Sequence, residues 1–187
     1  MTPALPVVLV LASGRGERFR ASGGTVHKLQ ALLGERPVLA HTLAAVHASG
    51  LPWHLEDAGH PGMGDSIAAA VRATSDAAGW LVLPADLPLV EPATLRQVAQ
   101  ALARPGVTAA QPVHAGQRGH PVGFGPACRD ALLALEGNQG AAPVLRAQRA
   151  MKSVADIDTA DAGTVTDIDT LDDLARAELL WRARSGR

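Results

Sequence analysis

The chain has 187 residues, of which 47% are hydrophobic and 19% are charged. This apolar content excludes a disordered chain and predicts one globular domain over residues 1–187. Lys and Arg total 17 against 18 Asp and Glu, so the formal net charge of −1 provides no basic field for nucleic acid.

The location of the protein follows from two further features of the sequence. The single Cys128 has no partner for an internal disulfide. The first apolar run, residues 7–12, is far shorter than the roughly 20 residues that span a bilayer. We therefore expect a cytoplasmic protein with no membrane partner.

Two continuous apolar runs predict buried strands. The first covers residues 7–12 and leads into a loop that contains Gly14 and Gly16. The second covers residues 80–84, and Asp86 follows it at the edge of the sheet where open α/β folds bind ligands. Further strands are predicted at 107–113 and 122–124, joined by a polar hairpin connection at 114–120.

Helical patterns alternate with these strands. The predicted helices cover 37–48, 65–77, 92–103, 126–135 and 171–184. This alternation, with no internal repeat, predicts an α/β protein: a three-layer α/β/α sandwich with a mainly parallel sheet.

The glycine-rich loop after the first strand carries two arginines, Arg15 and Arg18. Backbone N–H groups in such a turn bind phosphate oxygens, and Arg18 with Lys28 would neutralise a triphosphate. A dinucleotide-binding fold is the competing interpretation. However, Phe19 replaces the third glycine of that fingerprint, and no second strand ends in an acid about 20 residues further on. Phosphate binding is therefore the leading hypothesis.

Five segments resemble, in order, motifs of the MobA-like nucleotidyltransferases. The opening loop, residues 11–19 followed by Lys28, is similar to their signature L-A-[AG]-G-x-[SG]-x-R-[MF]. PADLP at 84–88 is similar to the P-x-D-x-P box of the same family. The other three resemble the molybdenum-cofactor cytidylyltransferase branch: GMGDS at 62–66, GHPVGF at 119–124 and DIDTLDDL at 167–174. The resemblance implies the Rossmann-like sheet of the nucleotide-diphospho-sugar transferases.

The resemblance also implies roles for individual residues. Arg18, Lys28 and Asp86 are the implied catalytic residues, the first two on the phosphates and Asp86 on Mg²⁺. The implied nucleotide-binding residues are Leu11, Ala12, Ser13, Gly14, Arg15, Gly16, Ser66 and Pro84. Because Mg²⁺ prefers a few carboxylate oxygens with phosphate and water, Asp169 is the expected second ligand and Asp167 its alternative. His120 is implied to lie near the acceptor.

The activity implied by the resemblance is transfer of CMP from CTP to a phosphorylated acceptor, molybdopterin bearing molybdenum, with release of pyrophosphate. In the resembled family, guanylyl members have glycine at the position of Ser13 and cytidylyl members have alanine. Ser13 has a Cβ and so favours the smaller pyrimidine. An apo-molybdoenzyme or its chaperone is the implied receiving partner.

Three features depart from the family pattern. Lys28 follows Arg18 by ten positions, which predicts an inserted flexible lid at 21–25. The chain passes from 51–56 directly to the GMGDS segment, so one βα unit is missing. Asn138 and Ala142 replace charged residues of the acceptor motif.

These departures leave alternatives open. One keeps the fold but uses GTP, or a sugar-phosphate or alcohol-phosphate acceptor. The other is a non-catalytic nucleotide-binding or cofactor-delivery protein, against which the presence of both Asp86 and Asp169 argues.

Overall fold

Strands and helices alternate along the chain as the sequence predicts. The computed structural model describes residues 5–185, so the ends of the expected domain, 1–4 and 186–187, lie outside the described residues. The strands are β1 (Val7–Leu11), β2 (Leu32–Leu33), β3 (Arg36–Pro37), β4 (Trp53–Glu56), β5 (Trp80–Pro84), β6 (Ala109–His114), β7 (Gln117–Arg118), β8 (Val122–Phe124) and β9 (Val154–Asp158). The helices are α1 (Glu17–Ala21), α2 (Val38–Ser49), α3 (Met63–Ala73), α4 (Pro92–Leu102), α5 (Arg129–Leu133), α6 (Ala142–Ala150) and α7 (Leu171–Ser185). Within residues 5–185, no helix is both long and apolar enough to cross a membrane.

The central sheet is mixed but mostly parallel. Its strands follow the order β4-β1-β5-β8-β6-β7, and β9 pairs with β6. Strands β4, β1, β5, β6 and β9 run in one direction, whereas β7 and β8 run in the other. Strands β2 and β3 form a separate antiparallel ribbon. The predicted fold class is confirmed.

Strand β1 supplies two cores, one on each face of the sheet. Val8 and Val10 lie in a hydrophobic cluster with residues of α2, α4 and α7. Leu9 and Leu11 lie in a second cluster with residues of α3, α5 and α6. Because helices cover both faces, no position of the strand is left for a polar side chain, and its sequence is a continuous apolar run.

Several elements differ from the sequence prediction. Strand β4 was not predicted: it lies at the end of the sheet, is partly exposed and carries polar His54 and Glu56. The predicted helix at 126–135 is a short 3-10 turn followed by the five-residue α5. Helix α6 and strand β9 were also missed. From β4 the chain passes to α3 with no further strand or helix between them.

Asp161 is a buried carboxylate that ties three segments together. Its Oδ2 accepts hydrogen bonds from the Glu91 N–H and the Thr94 hydroxyl, both 2.8 Å long. Its Oδ1 accepts from the Gly163 N–H at 2.9 Å and from Arg184 Nη2 at 3.2 Å. The start of α4, the turn after β9 and the end of α7 are joined in this way.

We expect Asp161→Ala to lower the free energy of unfolding by about 3 kcal/mol, because it leaves several buried donors without an acceptor. Urea denaturation measures this loss. Asp158→Ala is the control, since Asp158 is exposed, and its expected effect is within about 0.5 kcal/mol. Equal losses in the two variants would contradict the role given to Asp161.

Candidate active site

A cleft of about 500 Å³ opens at the carboxyl ends of β1 and β5. Its walls are formed by the glycine loop, by the start of α3 and by charged residues that lie beside the end of β5. Seven of the predicted nucleotide-binding residues line it: Leu11, Ser13, Gly14, Arg15, Gly16, Ser66 and Pro84. Ala12 does not line the cleft but packs against the first hydrophobic cluster. The assignment of these residues to a nucleotide stays a prediction.

The glycine loop turns its backbone toward open space. Gly16 has a φ of 64°, a left-handed conformation that favours glycine, and α1 begins directly after it. A Cβ at Gly14 would meet no atom within 4 Å, so the cleft is open beside this residue. His27 supports the loop, since its Nε2 donates to the Gly14 carbonyl at 2.8 Å and its Nδ1 accepts from the Leu29 N–H at 3.3 Å.

The inserted segment at 21–25, predicted to be a flexible lid, is held against α7. The Leu171 N–H donates to the Ser22 hydroxyl at 3.0 Å. That hydroxyl donates in turn to the Phe19 carbonyl at 2.8 Å. These contacts fasten the insertion to the first residue of α7, and the chain then returns so that Lys28 enters the cleft.

Four charged side chains from distant segments meet at the β5 end of the cleft. Lys28 Nζ lies 2.5 Å from Asp86 Oδ2 and 2.8 Å from Asp169 Oδ1. Arg18 Nη2 lies 2.8 Å from Asp169 Oδ2. Burial opposes the charge of Lys28, but the two carboxylates outweigh it and raise the pKa of Lys28 above its ordinary value. Lys28 is therefore an ammonium ion held between two carboxylates.

Backbone hydrogen bonds place the two carboxylates side by side. The Ile168 N–H donates to the Asp86 carbonyl at 3.0 Å, which joins the segment before α7 to the end of β5. Asp173 Oδ2 accepts from the N–H groups of Asp169 and Thr170 at 3.2 and 2.7 Å. Burial opposes ionisation of Asp173, but the hydrogen bond from the Thr170 hydroxyl and those from the two N–H groups keep the pKa of its carboxyl below the usual range. Asp173 thus caps α7 and leaves Asp169 free to point into the cleft.

The carboxylates fit a hard divalent cation. Asp86 Oδ1 is buried and has no hydrogen-bond partner in the part of the chain that the structure describes. A buried acceptor without a hydrogen-bond partner lowers the stability of the fold. A metal ion bound by Asp86 and Asp169 would provide that partner. Among residues 5–185 there is no group of three His, Cys, Asp or Glu side chains placed to hold a metal. Phosphate and water oxygens would therefore complete the coordination shell.

Asp167 and His120 lie outside the cleft lining. Burial lowers the pKa of His120 and keeps the ring neutral, with a hydrogen bond to the Val82 backbone and the charge of Asp86 in opposition. Burial, together with the charges of Asp86 and other nearby carboxylates, raises the pKa of Asp167. The charge of Asp86 thus affects the pKa of both groups. Their predicted roles as metal ligand and acceptor-binding residue stay predictions.

Two glycine-containing segments pack directly on each other beside the cleft. A Cβ at Gly64 in the first turn of α3 would lie 2.7 Å from the Glu136 carbonyl oxygen. The Gly137 N–H donates to Asp65 Oδ2 at 3.0 Å. Asn138, in the same segment, lines the cleft. Ser66 also lines it, but its hydroxyl already donates to the Gly62 carbonyl at 3.1 Å.

A polar cluster that the sequence did not predict lies at the β4 end of the cleft. His60 lines the cleft, and its Nε2 lies 3.0 Å from Oε1 of the buried Glu56. His54 Nε2 approaches the other carboxylate oxygen at 3.4 Å but does not line the cleft. The one sequence feature that could have predicted this pair is the four-residue spacing of Glu56 and His60, and that spacing matches no known motif.

A glycine loop with cationic side chains and paired carboxylates at the carboxyl edge of a mostly parallel sheet defines a nucleotidyltransferase. A family model described as the MobA-like NTP transferase domain matches residues 45–153. The chain belongs to this family, and the predicted resemblance and enzyme class are confirmed. The matched range includes Asp86 but neither the glycine loop nor Asp169, which the fold brings beside it.

Individual known proteins are similar to this chain in sequence or in fold. The bifunctional protein GlmU of Stenotrophomonas maltophilia is 34% identical over 148 residues, a match that covers 66% of this chain and 30% of that protein. A nucleotidyl transferase from Methanothermobacter has the same fold, with a TM-score of 0.79 and 22% identity over 96% of this chain and 99% of its own. Molybdopterin-guanine dinucleotide biosynthesis protein A from Archaeoglobus fulgidus superposes with a TM-score of 0.63 and 18% identity, covering 95% and 99% of the two chains.

We expect Gly64→Ala to lower the free energy of unfolding by about 2 kcal/mol, because the new Cβ must push the Glu136 backbone away. The strain must exceed the gain of about 1 kcal/mol in helix propensity that alanine has over glycine. Gly59→Ala is the matched control, since a Cβ there meets no atom within 4 Å. If chemical denaturation gave the two variants the same stability, the close packing at Gly64 would be disproved.

Proposed function

We propose that the chain is a Mg²⁺-dependent cytidylyltransferase that transfers CMP from CTP to molybdopterin carrying molybdenum. The observation that carries the proposal is the convergence of Arg18, Lys28, Asp86 and Asp169 at one end of the cleft. A phosphate oxygen of the acceptor attacks the α-phosphorus of CTP, and the bond to the β-phosphate oxygen breaks to release pyrophosphate. Since the attacking phosphate is already an anion, the protein need not remove a proton.

The charged residues supply what such a transfer needs, which is neutralisation of the triphosphate. Lys28 and Arg18 already carry their charge inside the cleft, where the carboxylates balance it. With CTP bound, we expect the two cations to contact phosphate oxygens. Asp86 and Asp169 would hold Mg²⁺, which supplies further charge neutralisation on the phosphates.

The choice of CTP rests on Ser13. Its hydroxyl donates to the Glu56 carbonyl at 3.2 Å, so the side chain is held at the wall of the cleft. A residue with a Cβ at this point leaves less room for a base than glycine does, which favours a pyrimidine. The molybdopterin acceptor is supported by the resemblance of three sequence motifs to the molybdenum-cofactor branch.

A second candidate acceptor is a sugar phosphate or an alcohol phosphate. Asn138 lines the cleft and is neutral, whereas the molybdopterin-binding motif that it resembles has a carboxylate there. The activity with either acceptor begins with the same nucleotide and ends with pyrophosphate, so one assay separates the candidates.

Pyrophosphate release by the purified protein with Mg²⁺ tests the proposal. We expect release with CTP and a molybdopterin acceptor, and little release with GTP or without acceptor. Asp86→Asn should reduce turnover by more than about a hundredfold, the usual loss for a group that stabilises transition-state charge. Near-normal turnover of this variant would contradict the metal assignment, and release with GTP alone or only with sugar phosphates would contradict the substrate. Nucleotide binding without release would favour a binding or delivery protein.

Lys28→Met should also reduce turnover by more than about a hundredfold, because it removes a buried cation from the triphosphate site. Lys152→Met is the matched control: Lys152 is the other lysine of the chain and is exposed. We expect the control to stay within about twofold of the unchanged protein. Turnover numbers measured at saturating CTP would refute the role of Lys28 if the two variants were equal.

A further inference from the structure

The β4 end of the cleft holds a polar group that the proposed chemistry does not use. Glu56 is the last residue of β4 and is buried. Its Oε1 accepts hydrogen bonds from His60 Nε2 at 3.0 Å and from the Ala58 N–H at 3.3 Å. Its Oε2 accepts from His54 Nε2 at 3.4 Å. Only His60 of the two histidines lines the cleft.

The carboxylate determines which nitrogen of His60 carries the proton. Burial opposes the charge of Glu56, but the hydrogen bonds from His60 and His54 outweigh it and lower the pKa of the Glu56 carboxyl. An ionised carboxylate only accepts hydrogen bonds, so His60 must donate from Nε2. In the neutral tautomer that donates from Nε2, Nδ1 is an acceptor, and within residues 5–185 no partner for it is found. It is therefore available to a ligand.

The charge distribution of the cleft assigns its two ends to different parts of a nucleotide. Lys28 and Arg18 lie at the β5 end, whereas Glu56 and His60 lie at the β4 end, with β1 and its glycine loop between them. Two strand spacings separate these ends by about 10 Å. The anionic Glu56 repels a triphosphate, so the phosphates belong at the β5 end and the base at the β4 end.

We infer that His60, oriented by Glu56, recognises the base and selects cytosine over uracil. The exocyclic amino group of cytosine is a donor for Nδ1, whereas uracil presents a carbonyl oxygen at the same position. Two acceptors facing each other repel and leave a polar atom unpaired, which is a strong basis for discrimination. This inference rests on the proposed function only in requiring that the cleft binds a pyrimidine nucleoside triphosphate. Glu56 is a positioning residue, since it acts through His60.

Equilibrium binding tests the inference without any acceptor. Dissociation constants for CTP and UTP, each with Mg²⁺, are measured by calorimetry for the unchanged protein and for His60→Ala. We expect the unchanged protein to prefer CTP. His60→Ala should weaken CTP binding by about tenfold, the loss of one hydrogen bond, and should strengthen UTP binding, because it removes the repulsion between the two acceptors.

Two further variants separate recognition from structure. His54→Ala removes the other histidine bound to Glu56 without touching the cleft lining, so the CTP preference should persist. His60→Gln keeps an acceptor at this position and should retain part of the preference. A preference that depends on His60 but not on His54 cannot arise from a general loosening of the β4 end.

Each outcome bears on one of the two proposals. An unchanged CTP to UTP ratio in His60→Ala, or no CTP preference in the unchanged protein, overturns the role of His60. Equal losses in His54→Ala and His60→Ala overturn it as well. A His60-dependent preference for CTP in a protein that releases no pyrophosphate with molybdopterin upholds base recognition and refutes the proposed acceptor.

Discussion

The ammonium group of Lys28 between Asp86 and Asp169 is the contact on which the arrangement of the site depends. It joins residues that are 58 and 141 positions apart in the chain. Burying these charges costs desolvation energy that the ion pairs recover only in part, so their value to fold stability is small. In the proposed reaction these groups would exchange partners: the carboxylates would hold the metal cation, and the lysine released from them would bind phosphate.

Strand order explains why the cleft has two chemically different ends. Parallel strands present their carboxyl ends at one edge of the sheet, so the segments after β4, β1 and β5 lie next to each other in that order. The cations Lys28 and Arg18 lie beside the end of β5, the glycine loop lies in the middle, and the Glu56–His60 pair lies at the end of β4. A nucleotide that lies across the three strands meets groups suited to its phosphates at one end and to its base at the other.

Much of the fold follows from local patterns in the sequence. The apolar runs of β1 and β5 are buried by helices on both faces, so their composition alone indicates them. Strand β4 escaped prediction because an edge strand with exposed and polar positions lacks that composition. Helix α5 was predicted too long because the chain makes a 3-10 turn at Pro126–Cys128 before the helix begins. The insertion at 21–25 resembled a free loop because its anchor, the first residue of α7, lies 149 positions away from Ser22.

The sequence by itself determined the class of the fold, the glycine loop and the identity of the principal charged residues. Each of these can be recognised from a short contiguous pattern of residues. Only the tertiary structure decided that Lys28 lies between Asp86 and Asp169, that Asp167 and His120 lie outside the cleft lining, and that His60 lines it. These placements depend on strand order and on packing between segments far apart in the chain. No local pattern encodes such contacts, because their energies exist only after the sheet has brought the segments together.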